Sequence, residues 1–150
     1  MKYIHHIYIT VYVKENDNAE LLAEIIAGFL PEDFEDQGIK LEKEKVKIDD
    51  ISKMNILRVK LSKDKNTKQF IQTLKEGLGA EQCARIVSEE NRVDEEGCLY
   101  IRLNKQELLE KGEAVLTDDG ECFHFKIMIA AYPKTRAKAL EVVKELFKKK

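Results

Sequence analysis

Three cysteines and three histidines are the residues best suited to metal or nucleophilic chemistry in this chain of 150 residues. Cys122 and His124 stand two apart on an alternating stretch, so one strand would aim both at the same face. Cys98, on a neighbouring strand, would supply a third ligand if the strands bring it close. The spacing matches no zinc signature, and a strand face with a Cys and a His is usually only that. His5 and His6 are adjacent, so a regular strand sends them to opposite faces and they cannot grip one ion. No CxxC pair, GxGxxG loop or GxxxxGK[ST] loop is present, which removes the common redox and phosphate-cradling motifs. Carboxylates are abundant, but abundance alone is no acid–base centre. The residues therefore predict no catalytic group, no metal and no cofactor.

The basic residues carry more information. Net charge is only -2, yet the charge is segregated. Residues 15–37 hold eight acidic side chains and no Lys or Arg, whereas residues 40–60 carry a net +3 and residues 133–150 a net +5. One region repels phosphate and two attract it. Arg58 and Lys60 point outward from one predicted strand, Arg102 from another and Lys126 from a third. If those strands adjoin, they form a basic stripe across a sheet. Lys134, Arg136 and Lys138 crowd the start of the last helix, where cations oppose the helix dipole. A bound phosphate would relieve that opposition. Charge alone also fits a plain solubilising surface.

These side chains need elements to position them. Residues 3–14 alternate strictly, with Ile7, Ile9, Val11 and Val13 on one face and His6, Tyr8, Thr10 and Tyr12 on the other, which predicts a central strand. Asn16-Asp17-Asn18 supplies a helix cap, Leu21, Leu22, Ile25, Ile26 and Phe29 follow at helical spacing, and Pro31 stops the run. Residues 38–48 alternate with a change of phase between Leu41 and Val46, Asp49-Asp50 reads as a turn, and 55–61 form a strand with Leu57, Val59 and Leu61 inward. Asn66 or Thr67 would cap a helix closed by Gly79, with a shorter helix over 81–89. Asp94 to Gly97 is a turn, 98–103 a strand and 105–111 a short helix. Residues 114–117 and 122–131, joined by Asp118-Asp119-Gly120, read as a hairpin. A last helix would begin near Pro133 and bury Ala137, Leu140, Val143 and Phe147. The predicted fold is α+β: a mostly antiparallel sheet of about six strands with helices on one face, in the order β-α-β-β-α-(α)-β-(α)-β-β-α. No linker divides the chain, so 1–150 is read as a single domain. No stretch resembles a membrane span or a signal peptide, and the odd, unpaired cysteines suit a reduced compartment. A cytoplasmic location is expected.

The segment Arg92-Val93-Asp94-Glu95-Glu96-Gly97-Cys98-Leu99-Tyr100-Ile101-Arg102-Leu103-Asn104-Lys105-Gln106, followed by Gly112, resembles a small archaeal family described as predicted RNA-binding proteins and sometimes as exosome-associated subunits. Ile129-Ala130-Ala131-Tyr132-Pro133 with Arg136 resembles the same family. The resemblance implies a fold similar to the ribosomal protein that binds the small ribosomal RNA of the large subunit. It implies a non-catalytic RNA-binding protein of RNA processing or ribosome-related complexes, with exosome or ribosome-associated proteins as partners. Structured or double-stranded RNA would be held through phosphates and shape. The implied contacts are Arg92, Arg102, Lys105, Gln106, Lys134 and Arg136, joined by the outward Arg58 and Lys60. Tyr100 or Tyr132 would stack on an exposed base. Arg102, Lys105 and Arg136 should then share a face that excludes the acidic first helix. The competing reading is a protein–protein adaptor that uses this acidic helix.

Overall fold

A computed structural model describes residues 2–47 and 53–148. Five antiparallel strands form one sheet in the order β2-β3-β1-β5-β4. The central strand is β1, Ile4–Val13, flanked by β3, Lys53–Leu61, and β5, Cys122–Ile129. The edges are β2, Glu42–Lys47, and β4, Cys98–Asn104. The strict alternation of β1 sends Ile7, Ile9 and Val11 into the core, where each is fully buried. Helices α1 (Ala19–Ala27), α2 (Asp64–Ser88) and α4 (Arg136–Phe147) cover that face. A short helix α3, Lys105–Lys111, follows β4. Phe29 below α1, Phe70 of α2 and Phe125 of β5 meet with ring centroids 5.1–5.5 Å apart. This trio ties the helices to the sheet at the geometry aromatic pairs prefer. Among the described residues the other face of the sheet carries no helix, and Tyr12, Lys60, Tyr100, Arg102 and Lys126 are exposed on it.

The α+β class and the one-sided helical layer agree with the sequence, but the sheet has five strands rather than six. Residues 114–117 form no hairpin with β5. They lie along the outer edge of β4, where Leu116 bridges Leu103. Asn104 N–H donates to Val115 O at 2.8 Å and Thr117 N–H to Arg102 O at 3.0 Å. On the far side the Gln82 side chain takes the place of a further strand. Its amide donates to Ala114 O at 2.8 Å and accepts from Leu116 N–H at 2.8 Å. The segment thus blunts an edge that would otherwise present unpaired backbone.

Smaller differences have local causes. β2 begins at Glu42, because residues 32–38 turn and Ile39 N–H closes on Phe34 O at 3.0 Å. The expected turn at Asp49-Asp50 lies outside the described residues. α2 starts at Asp64, so Asn66 and Thr67 are buried within it instead of capping it. The Asn66 amide donates to Gln37 Oε1 at 2.8 Å. Gly79, at φ 78°, breaks α2 where a stop was expected, and the shorter helix follows directly across a kink. The last helix begins at Arg136, capped by Thr135, whose side chain accepts from Lys138 N–H at 3.1 Å. Its buried set is Ala139, Val142, Val143 and Phe147, so Val143 and Phe147 fall as expected while Ala137 is exposed and Leu140 half-buried.

Candidate nucleic-acid interface

The open face is built by strand register. Tyr8 of β1 stands opposite Lys60 of β3 on one side and Lys126 of β5 on the other, and Lys126 stands opposite Tyr100 of β4. The result is a row across four strands, Lys60–Tyr8–Lys126–Tyr100, about 14 Å long at the usual spacing of strands. The Lys60 ammonium sits 5.6 Å from the Tyr8 ring centroid, and that of Lys126 sits 6.0 Å from the Tyr100 centroid. Cation–π attraction holds each amine over a ring while leaving its donors in water. A second row runs beside the first: Glu42, Arg58, Thr10, His124 and Arg102. Arg58 pairs with Glu44 at 3.6 Å, and Arg102 Nη1 reaches Asp118 O at 3.3 Å. Among the described residues, neither Lys60 nor Lys126 forms an ion pair, so both charges are available.

The histidines report the field of these cations. Burial holds the His6 pKa below its usual value, and Lys60, His5 and Lys126 lower it further. Burial likewise depresses His124, helped by Arg102. Both rings therefore favour the neutral form on a positive surface. Tyr100 is fixed from its other end: its hydroxyl donates to Asp94 Oδ2 at 3.0 Å. Burial and that bond raise its pKa to about 12. Asp94 also accepts from the backbone N–H groups of Glu96 and Cys98, so the turn predicted before β4 orients the ring.

The residues singled out in the sequence divide. Arg58, Lys60 and Arg102 lie on the open face, with Lys126 beside them. Lys105 does not: its side chain is 5% exposed, and its ammonium donates to Tyr12 O at 2.9 Å and to Asp17 Oδ2 at 2.5 Å. Arg92 is likewise withdrawn, with its side chain 8% exposed and Nε 2.8 Å from Glu89 Oε1. Arg136 turns back from the helix start and donates to Val93 O at 3.0 Å and Glu90 O at 2.7 Å. Those carbonyls, rather than a phosphate, answer the cation that seemed misplaced beside the dipole. Gln106 is exposed on α3, its amide on Glu110. Lys134 is exposed in the turn before α4, beside the Glu95-Glu96 loop. So Arg102, Lys105 and Arg136 do not form a common basic surface. The acidic helix does stay off the open face, since Leu22 and Ile26 anchor α1 in the core on the opposite side.

The candidate metal set also separates. Cys122 Sγ lies 3.3 Å from His124 Nε2. Cys98 pairs with Met128, at the opposite end of β5 from Cys122. Burial pushes all three thiols above their usual pKa, which suits inert core cysteines. Tyr8 carries no charge and so does not show in the charge pattern of the sequence. Its signal was its place in the alternation of β1, on the same face as Thr10 and Tyr12.

Comparison with known proteins follows the same line. Residues 6–129 match the model of a family described as RNA binding. An RNA-binding protein of Pyrococcus abyssi is 22% identical over 143 residues, which cover 94% of this chain and 92% of that protein. The solved structure of a DUF54 protein from Archaeoglobus fulgidus is 31% identical, with a TM-score of 0.81 over 95% of this chain and 99% of that one. A DUF54 protein from Methanothermobacter thermautotrophicus is 26% identical, with a TM-score of 0.78 over 98% of this chain and 100% of that one.

Proposed function

This chain belongs to the RNA-binding family, and from that membership we propose that it binds single-stranded RNA across the open face of its sheet. The observation that carries the reading is the alternating row Lys60–Tyr8–Lys126–Tyr100. Two unpaired amines meet phosphates, and two rings between and beside them offer stacking surfaces to bases. Arg58 and Arg102 flank the row and add phosphate contacts. Unpaired bases suit this surface better than a duplex, because an A-form helix keeps the faces of its bases stacked and out of reach. Lys105, Arg92 and Arg136 act in this reading as scaffold, since each is engaged by the protein itself. A place in RNA processing or ribosome-related complexes, with exosome or ribosome-associated partners, rests on the sequence resemblance alone.

The test is fluorescence anisotropy with a labelled single strand and a labelled RNA duplex across a salt series. Submicromolar binding of the single strand that weakens with salt, and weakens again in Lys126→Ala, supports the reading. A preference for duplex would replace the stacking mode with the shape-based one. No binding of either RNA at low salt would overturn RNA binding through this face.

A further inference from the structure

The row ends at Tyr100 on the edge strand, and there a cleft of about 540 Å³ opens between that ring, Arg102, Glu89, Arg92 and Asp118. We propose that this cleft is a guanine-selective base subsite, with Tyr100 as the stacking platform and Asp118 as the reader. The proposal rests on the RNA-binding reading and adds a base preference to it.

The chemistry of the lining decides the ligand. The Arg92 guanidinium is spent on Glu89, so it offers little to a phosphate. The Glu89 pKa in turn is held below its usual value, first by its side-chain hydrogen bond with Arg92 and then, against burial, by Arg85. Its lone pairs are largely taken. Asp118 differs. Its side chain is 81% exposed, and the nearest cation, Arg92 Nη2, is 3.7 Å from Oδ1. That distance is beyond a hydrogen bond, so both carboxylate oxygens remain free to accept. The loop beneath it is fixed, because Thr117 Oγ1 donates to Asp119 O at 2.8 Å and Arg102 holds Asp118 O.

An ionised carboxylate only accepts. Guanine is the base whose pairing edge presents two adjacent donors, N1–H and N2–H₂, matching two carboxylate oxygens in parallel. Adenine and cytosine place an acceptor beside their single amino group, and uracil sets one N–H between two acceptors. Each of these would press a lone pair against Asp118. Reading the pairing edge of an unstacked base is the usual route to sequence preference in single-stranded RNA.

The experiment uses the full chain and labelled ten-residue RNAs: all-uridine, and the same strand with one central G, A or inosine. The G strand should bind roughly 5- to 20-fold more tightly than the A strand, in the range of a good bidentate pair at an exposed site. Inosine lacks the N2 amino group and should lose most of that gain. Asp118→Asn and Asp118→Ala should bring G and A within about twofold while the thermal midpoint stays unchanged. Equal binding of G, A and inosine, or a G preference that survives both variants, would overturn the subsite. In that case all-uridine binding still stands as support for the open face. Absence of binding by all four strands at low salt would instead remove the RNA-binding reading itself.

Discussion

Lys105 and Asp17, 88 residues apart in sequence, meet at 2.5 Å and tie the start of α3 to the loop after β1. The same ammonium takes Tyr12 O at 2.9 Å and lies 3.3 Å from Glu121 Oε1. Burial alone would raise the Asp17 pKa, but the Lys105 hydrogen bond and the Lys14 backbone N–H outweigh it and hold the pKa below 3.8. Lys105→Ala should therefore destabilise the fold, by on the order of 3 kcal/mol, because it strands a partly buried carboxylate and a carbonyl. RNA affinity should not change. The sign with pH follows from the lowered pKa. The contribution of Asp17 is fully present above pH 3.8 and is lost as pH falls through its folded value. Urea melts at pH 7 and pH 3 check this: the gap between wild type and variant should narrow at the lower pH.

Arg136 shares that structural character. It carries two hydrogen bonds to carbonyls of the residues 90–93 turn, 43 and 46 positions away. Arg136→Ala leaves two carbonyls without their charged donor, at about 1–3 kcal/mol. The expected outcome is a lower thermal midpoint with RNA affinity within about twofold of wild type. A large loss of affinity in a variant that melts normally would put Arg136 back in the interface.

The family resemblance implied Lys105 and Arg136 as RNA contacts, and both are engaged by the protein itself. Periodicity in β1, β3 and β4 correctly separates inward from outward residues, because a pleated strand allows only two directions. Arg58, Lys60 and Arg102 were legible for that reason. Lys126 was legible too, once its flanking Phe125 and Ile127 point inward. Long cations at element ends carry no such constraint. A lysine stem can fold back and bury its head wherever an acid and a carbonyl converge. The partners of Lys105 come from residues 12, 17 and 121, and no local pattern announces that meeting. The six-strand count failed for a related reason. Residues 114–117 have strand-like composition, but β5 is already paired on both edges, with β1 and β4, so the segment meets only the outer edge of β4 through the Leu103–Leu116 bridge.

The Lys60–Tyr8–Lys126–Tyr100 row predicts two separable signatures. Lys126→Ala should reduce the slope of log affinity against log salt by about 0.7, the value for one phosphate contact on a single strand. Tyr8→Ala should leave that slope unchanged and cost about 1–3 kcal/mol of stacking. Affinity measured at four or more salt concentrations for each variant separates the two. If both variants shift only the slope, the tyrosines are not stacking platforms.

His6 and His124 supply a probe inside the same face. In the free protein burial lowers both, with Lys60 and Lys126 adding to the effect at His6 and Arg102 at His124. For folding, a depressed histidine favours the high-pH side. Stability is fully present above the unfolded value of 6.5 and declines as pH falls through the folded pKa values. For RNA binding the sign reverses. Phosphates brought to Lys60, Lys126 and Arg102 neutralise the charges that disfavour an imidazolium, so both histidine pKa values rise in the complex. Proton uptake then accompanies binding, and affinity should strengthen as pH falls below the ordinary histidine value toward the lowered values of the free protein. The check is an NMR titration of the imidazole Hε1 signals with and without RNA. Upward shifts at His6 and His124 place the phosphates on the open face. Unmoved titration curves in a saturated complex would place the RNA elsewhere.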